Sequence, residues 1–153
     1  MAPMRFETNR RLAKDFNNQF QTVQYGDKTC KFRSKLEKKV ADYLEMLKIG
    51  NYIKDWEYES HKFLFPDDKW LVDFTIRNNY DSFEYFEAKG LFDARARRYV
   101  KLLAKYRPEV KMTIVFGRKS DTKKMSVSKK YVHAVCYIGK NGLTYIYEKN
   151  NPK

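Results

Sequence analysis

The sequence predicts an α/β protein: a small mixed β-sheet flanked by helices, with a C-terminal β-hairpin. Three observations carry this prediction. Two segments, 34–50 and about 93–106, show the three- and four-residue apolar spacing of amphipathic helices. Around them lie short runs rich in aromatic and β-branched residues, bounded by turn-forming Pro, Asp, Asn and Gly. The resulting order, α-β-β-β-β-α-β and then a hairpin, suits a sheet with helices packed on it.

Taken in order, residues 1–31 are polar, basic and rich in Asn and Gln ("NNQFQTVQYGDKT") with little periodicity. They are expected to form a basic arm, disordered alone or swapped onto a partner. "SKLEKKVADYLEMLKIG" (34–50) places Leu36, Val40, Tyr43, Leu44 and Leu47 on one helical face, with Ser34 and Glu37 as a capping box and Gly50 as a stop. Strands are expected at 53–58, 61–65, 70–76 and 83–88, with "PDDK" and "NNYD" as turns. The second helix carries Tyr99, Leu102, Leu103 and Tyr106 as its apolar stripe and stops before Pro108. "KMTIVF" (111–116) reads as a buried strand of a mixed sheet. "GRKSDTKKMSVSKK" (117–130) is a basic connector; "YVHAVCYI" and "LTYIYE", joined by "GKNG", make the closing hairpin. The chain thus divides into an arm (1–31), a core (32–117), and a connector with hairpin (118–153).

At 153 residues, 42% hydrophobic and 16% aromatic, the chain has the composition of one folded domain. Its formal net charge of +13 favours a polyanionic partner, of which nucleic acid is the commonest. No apolar run approaches the roughly 18 to 20 residues that span a bilayer, and "MAPMRFETNRRLAKDF" lacks the apolar core of a signal peptide. Cys30 and Cys136 match neither a disulfide framework nor a zinc spacing, so they read as reduced thiols and the protein as intracellular.

Acid-x-Lys occurs five times, starting at Glu37, Asp67, Glu87, Glu109 and Asp121, so the pattern alone carries little. The copy at Glu87 differs in context. Glu87 and Lys89 share one face of a strand end, and the preceding apolar strand supplies Asp73. Charges set against a core are costly unless they are paired or hold a metal. Phosphodiester hydrolysis gives these residue types a reason to meet. Hard divalent cations take carboxylate oxygens, polarise a phosphate and acidify the attacking water, while a lysine offsets developing charge. A cross-strand ion pair at a solvated edge is the competing explanation for the hairpin. The capping box likewise explains Glu37 without catalysis.

"FRSKLEKKV", then "VDF", "YFEAKGLF" and "YRPEVKMTIVF", taken together and in this order, resemble the bacteriophage endonuclease I family. These are the Holliday-junction resolvases of T-odd phages, within the PD-(D/E)xK nuclease superfamily. The resemblance covers residues 32 to about 117; Val72 stands where the superfamily name has proline, and residues 118–153 show no likeness. It implies a restriction-endonuclease-like core whose active site is Glu37, Asp73, Glu87 and Lys89. Asp73, Glu87 and the carbonyl of Ala88 would hold Mg2+ or Mn2+, Glu37 would reach a second ion, and Lys89 would sit by the attacking water. It also implies a homodimer acting on branched DNA such as a four-way junction, in the host cytoplasm if the chain is phage-encoded.

Arg33 and Ser34 at the helix start, and Arg95, Arg98, Lys101 and Lys105 after the hairpin, are expected to contact DNA phosphates. The basic connector is expected to do the same. Tyr52, Trp56, Trp70 and Phe74 read as core, and His61 and His133 as structural. The arm and residues 131–148 are candidates for building the dimer. Two alternatives remain open from the sequence: a phage head-completion or DNA-packaging nuclease of the same superfamily, and a non-catalytic basic DNA-binding protein.

Overall fold

A computed structural model describes residues 20–149. Six strands form one mixed sheet in spatial order β3-β4-β5-β6-β7-β8: Asp55–Phe65, Asp68–Arg77, Phe83–Ala88, Met112–Phe116, Ala134–Gly139 and Gly142–Glu148. Strands β3, β4 and β5 make an antiparallel meander; β6 runs parallel to both β5 and β7, and β8 returns antiparallel. Helix α1 (Lys35–Ile49) and helix α2 (Ala94–Tyr106) pack on it, and a separate hairpin, β1 (Gln21–Tyr25) with β2 (Lys28–Phe32), covers α1.

Two apolar clusters follow from this layering. Val40, Ala41 and Leu44 of α1 pack with Trp56, Phe74, Ile76, Phe86, Val115 and Ile138. Ala96, Val100 and Leu103 of α2 pack with Phe63, Trp70, Val72, Met112, Ile114 and Phe116. Trp70, Val72, Phe74 and Ile76 alternate regularly along β4, yet the first two belong to α2's cluster and the last two to α1's. The strand therefore turns over at Asp73. Directly opposite, the register of β3 against β4 slips between Tyr58 and His61, and Glu59 takes φ 51°. An extra residue at a bulge bends its strand and raises the local twist.

Several expectations change. Residues 21–31, expected as part of an arm disordered alone or swapped onto a partner, form with Phe32 an antiparallel hairpin in which Cys30 and Phe32 are buried. Its polar residues alternate with those that face α1, and a half-polar strand of this kind is easily mistaken for an arm. The remainder of the expected arm, residues 1–19, lies outside the described residues. The two strands expected at 53–58 and 61–65 are one strand interrupted by the bulge. The closing hairpin is not an appendage, because β7 joins the sheet beside β6. The connector folds into 3-10 turns at Lys119–Met125 and Ser128–Tyr131, anchored by buried Thr122, Met125 and Ser128. Tyr52 is 75% exposed, so it is not core, whereas Trp56, Trp70 and Phe74 are. Tyr106 is also exposed, and Ala96 and Val100 complete the buried face of α2 in its place. No helix among the described residues is long and apolar enough to cross a membrane.

Candidate active site

The site lies where two paired strands part. The β4–β5 ladder ends at the Phe74–Phe86 pair, and one residue further Asp73 faces Glu87. Side chains there replace the missing ladder bonds. The backbone N–H of Asp73 donates to Glu87 Oε1 at 2.9 Å, and the N–H of Ala88 donates to Asp73 Oδ2 at 2.8 Å. Each carboxylate thus satisfies a donor of the opposite strand that divergence would otherwise orphan. Lys89 Nζ lies 3.3 Å from Glu87 Oε2, and the nearby indole of Trp70 helps to hold the Glu87 pKa down.

Both carboxyls are buried, Asp73 at 8% and Glu87 at 5% exposure. Burial raises the pKa of Asp73 well above 3.8, and the charges of Glu87 and Glu37 raise it further. Burial also raises Glu87, against the opposing pull of Lys89. This is an electrostatically unfavourable pair with one ammonium to offset it, and a cation bound between the carboxylates would relieve the repulsion. The donor set fits Mg2+ or Mn2+, since a hard divalent ion commonly takes one or two carboxylates and keeps several waters.

Glu37 stands apart from the pair. Ser34 Oγ accepts the N–H of Glu37 at 3.1 Å, so the helix cap exists as expected. Glu37 Oε1 in turn accepts the N–H of Arg33 at 2.8 Å and the hydroxyl of Tyr58 at 2.7 Å. Among the described residues no three His, Cys, Asp or Glu side chains converge on one point. Glu37 reaches Asp73 through its field rather than through a shared ligand position. The Tyr58 phenol is held protonated by burial, by its bond to Glu37, and by the charges of Glu59 and Asp73.

A cleft of 570 Å3 opens over the pair, lined on its basic side by Arg33, Lys62, Lys69, Lys89 and Arg95. Arg33 also pairs with Glu59 at 3.0 Å, and Arg98 pairs with Asp68 at the cleft wall. Of the residues expected to contact phosphate, the structure brings Arg33 and Arg95 to the cleft and Arg98 to its edge. Ser34 is engaged in the cap, and Lys101 and Lys105 lie exposed on later turns of α2. Sequence reasoning missed Lys62, Lys69, Tyr58 and the polar role of Trp70. Alternation in "HKFLF" and "DKWLV" was the available signal for the two lysines, since each stands next to a buried aromatic. His61 packs on Phe63 and Tyr85, and burial lowers its basicity.

The pair has a consequence for stability. Above pH 3.8 the unfolded chain releases the Asp73 proton while the native state, with its raised value, retains it. Native stability therefore declines as pH rises through the raised value. In a chelator, the wild-type Tm should fall with rising pH over that window, and Asp73→Asn should flatten the fall. Saturating Mn2+ should raise the Tm of wild type and leave Asp73→Asn unmoved. Equal slopes and equal metal shifts in both proteins would remove the pair as a cation site.

Comparison with protein-family models, curated proteins and solved structures returns no match to this chain.

Proposed function

We propose that the chain is a metal-dependent DNA endonuclease with a PD-(D/E)xK core, hydrolysing phosphodiester bonds in branched DNA as a homodimer. The observation that supports it best is the buried Asp73–Glu87 pair with Lys89 beside it, in a cleft whose lining also brings Arg33, Lys62, Lys69 and Arg95. A non-catalytic DNA-binding protein has no use for two repelling, buried carboxylates beside the cations that would hold its DNA.

In this reading Asp73, Glu87 and the Ala88 carbonyl would hold Mg2+ or Mn2+, and Glu37 would serve a second ion. When bound, the cation supplies Lewis acidity at the phosphate and a more acidic attacking water. The protein contributes the rest. Reciprocal backbone bonds fix both carboxylates, so little reorganisation is left for the reaction. Lys89, tied to Glu87, places a positive charge beside the attacking side. Arg33, Lys62, Lys69 and Arg95 hold the flanking backbone by charge.

Glu37→Gln separates two roles. Glutamine keeps an acceptor for the Arg33 N–H and the Tyr58 hydroxyl, so the Tm should change little, because a whole cap is worth roughly 0.5–2 kcal/mol. A rate loss of roughly 10- to 100-fold is expected if the Glu37 charge serves the metal site. Full activity in Glu37→Gln would confine Glu37 to the cap.

Junction preference is tested by competing a four-way junction against linear duplex, with light scattering at micromolar protein. A dimer with two sites should prefer the junction and cut two strands in one binding event. Edge strand β8, with Tyr145 and Ile146 exposed, offers one surface for such pairing. A monomer cutting both substrates equally would instead favour a packaging or head-completion nuclease with the same site.

A further inference from the structure

The charge of this chain is concentrated. Between residues 94 and 133, thirteen Lys and Arg face two acids, a surplus of 11 in a chain whose whole surplus is 13. Both acids are already engaged, Glu109 with Arg107 at 2.7 Å and Asp121 with Arg118 at 3.2 Å. Strand β6 contributes none of the charge, so the surplus sits on α2 and on the 3-10 connector, part of which packs against α2. Both segments return the chain from the end of the sheet that carries Glu87 to the opposite end, because β5, β6 and β7 are parallel.

At that opposite end lies a second cavity, 230 Å3, whose polar lining is Arg107, Lys111, His133, Lys149 and Tyr131, with Glu109 the one acid. Lys111 and Lys149 make no ion pair with any described residue. Arg107 is held in place by Glu109 and by the Phe63 ring. A phosphate has acceptors only, and this cavity presents ammonium and guanidinium donors to it.

We propose that this cavity anchors a backbone phosphate of a DNA duplex arm whose other end enters the cleft. The basic surface joining the two sites favours a polyanion over a free phosphate. From Arg95 at the cleft to Arg107 at the cavity, α2 advances about 18 Å at its 1.5 Å rise, or about five base pairs of duplex at 3.4 Å each. The anchor fixes the direction of the arm and acts only on arms long enough to reach it. The nuclease reading supplies the cleft end of this path.

The test is binding of a labelled four-way junction by the full chain in EDTA, titrated with salt, for wild type and Lys111→Gln/Lys149→Gln. On arms of about twelve base pairs the variant should bind about tenfold more weakly, with a log–log salt slope shallower by about one to two. On short-charge arms, about twelve base pairs long but with neutral methylphosphonates beyond about the third base pair, the two proteins should bind alike. Unchanged affinity and slope on fully charged arms would overturn the anchor, as would an equal loss on both kinds of arm. Removal of the charged-arm advantage by millimolar inorganic phosphate at matched ionic strength would overturn the assignment to duplex. No turnover enters the readout. Dependence on arm charge in a protein that never cuts keeps the anchor and removes the nuclease, and cutting without that dependence does the reverse.

Discussion

Asp73→Asn and Glu87→Gln should each lower DNA cleavage by at least about 10²–10³-fold, the scale of losing one preorganised electrostatic group, while DNA binding persists or tightens. Both substitutions are unusually clean here. In Asp73→Asn the new amide would still offer an oxygen to the Ala88 N–H, and in Glu87→Gln the new amide would still offer one to the Asp73 N–H. The divergent strands therefore keep their reciprocal bonds. What disappears is charge. Removing one of two buried, repelling carboxylates should leave the metal-free Tm unchanged or higher at neutral pH. Alanine at either position is a different experiment, since it orphans a buried N–H at roughly 1–3 kcal/mol. Near-normal cleavage by either amide variant, measured on the same DNA and metal, would remove the pair from the chemistry.

The second large effect concerns stability. Phe32 is fully buried and packs edge-on to Tyr58, with ring centroids 4.8 Å apart, and against Phe74. Phe32→Ala should cost about 3–5 kcal/mol, the usual range for emptying a buried aromatic site. Denaturant unfolding measures this directly. A loss below about 0.5 kcal/mol would mean that the hairpin is not part of the folded core. Tyr58 also donates to Glu37, so loosening the hairpin should disturb the helix cap beside the site as well.

What could be read from the sequence was whatever a period or a fixed spacing encodes. Helix α1 declared itself by Leu36, Val40 and Leu44 and by Ser34 with Glu37; the Ser34 half of the capping box is formed as predicted, while Glu37 takes the N–H of Arg33 in place of that of Ser34. The meeting of Asp73 with Glu87 followed from two short apolar strands joined by "NNYD", where Asn78 Oδ1 accepts from Tyr80 and Ser82 to close the turn. What failed to show depends on three-dimensional partners. Nothing in "QTVQYGDKTCKF" distinguishes an arm from a hairpin until α1 provides a surface for Cys30 and Phe32. The bulge at Glu59 has no residue signature, yet it lies opposite the point where β4 turns over at Asp73. Whether β7 joins the sheet or stands apart is decided by β6, not by the hairpin's own alternation. Trp70 looked like core because it is core; its influence on the ionisation of Glu87 has no residue signature.

Cleavage itself is the most direct measurement. The purified chain is incubated with a four-way DNA junction in Mg2+, in parallel with EDTA and with Asp73→Asn, and the strands are resolved on a denaturing gel. The wild type should cut in Mg2+ alone, and neither EDTA nor Asp73→Asn should yield product although both still bind the junction. Intact strands in every lane, with Mg2+ or Mn2+ and with binding confirmed, would contradict a nuclease and leave a basic DNA-binding protein.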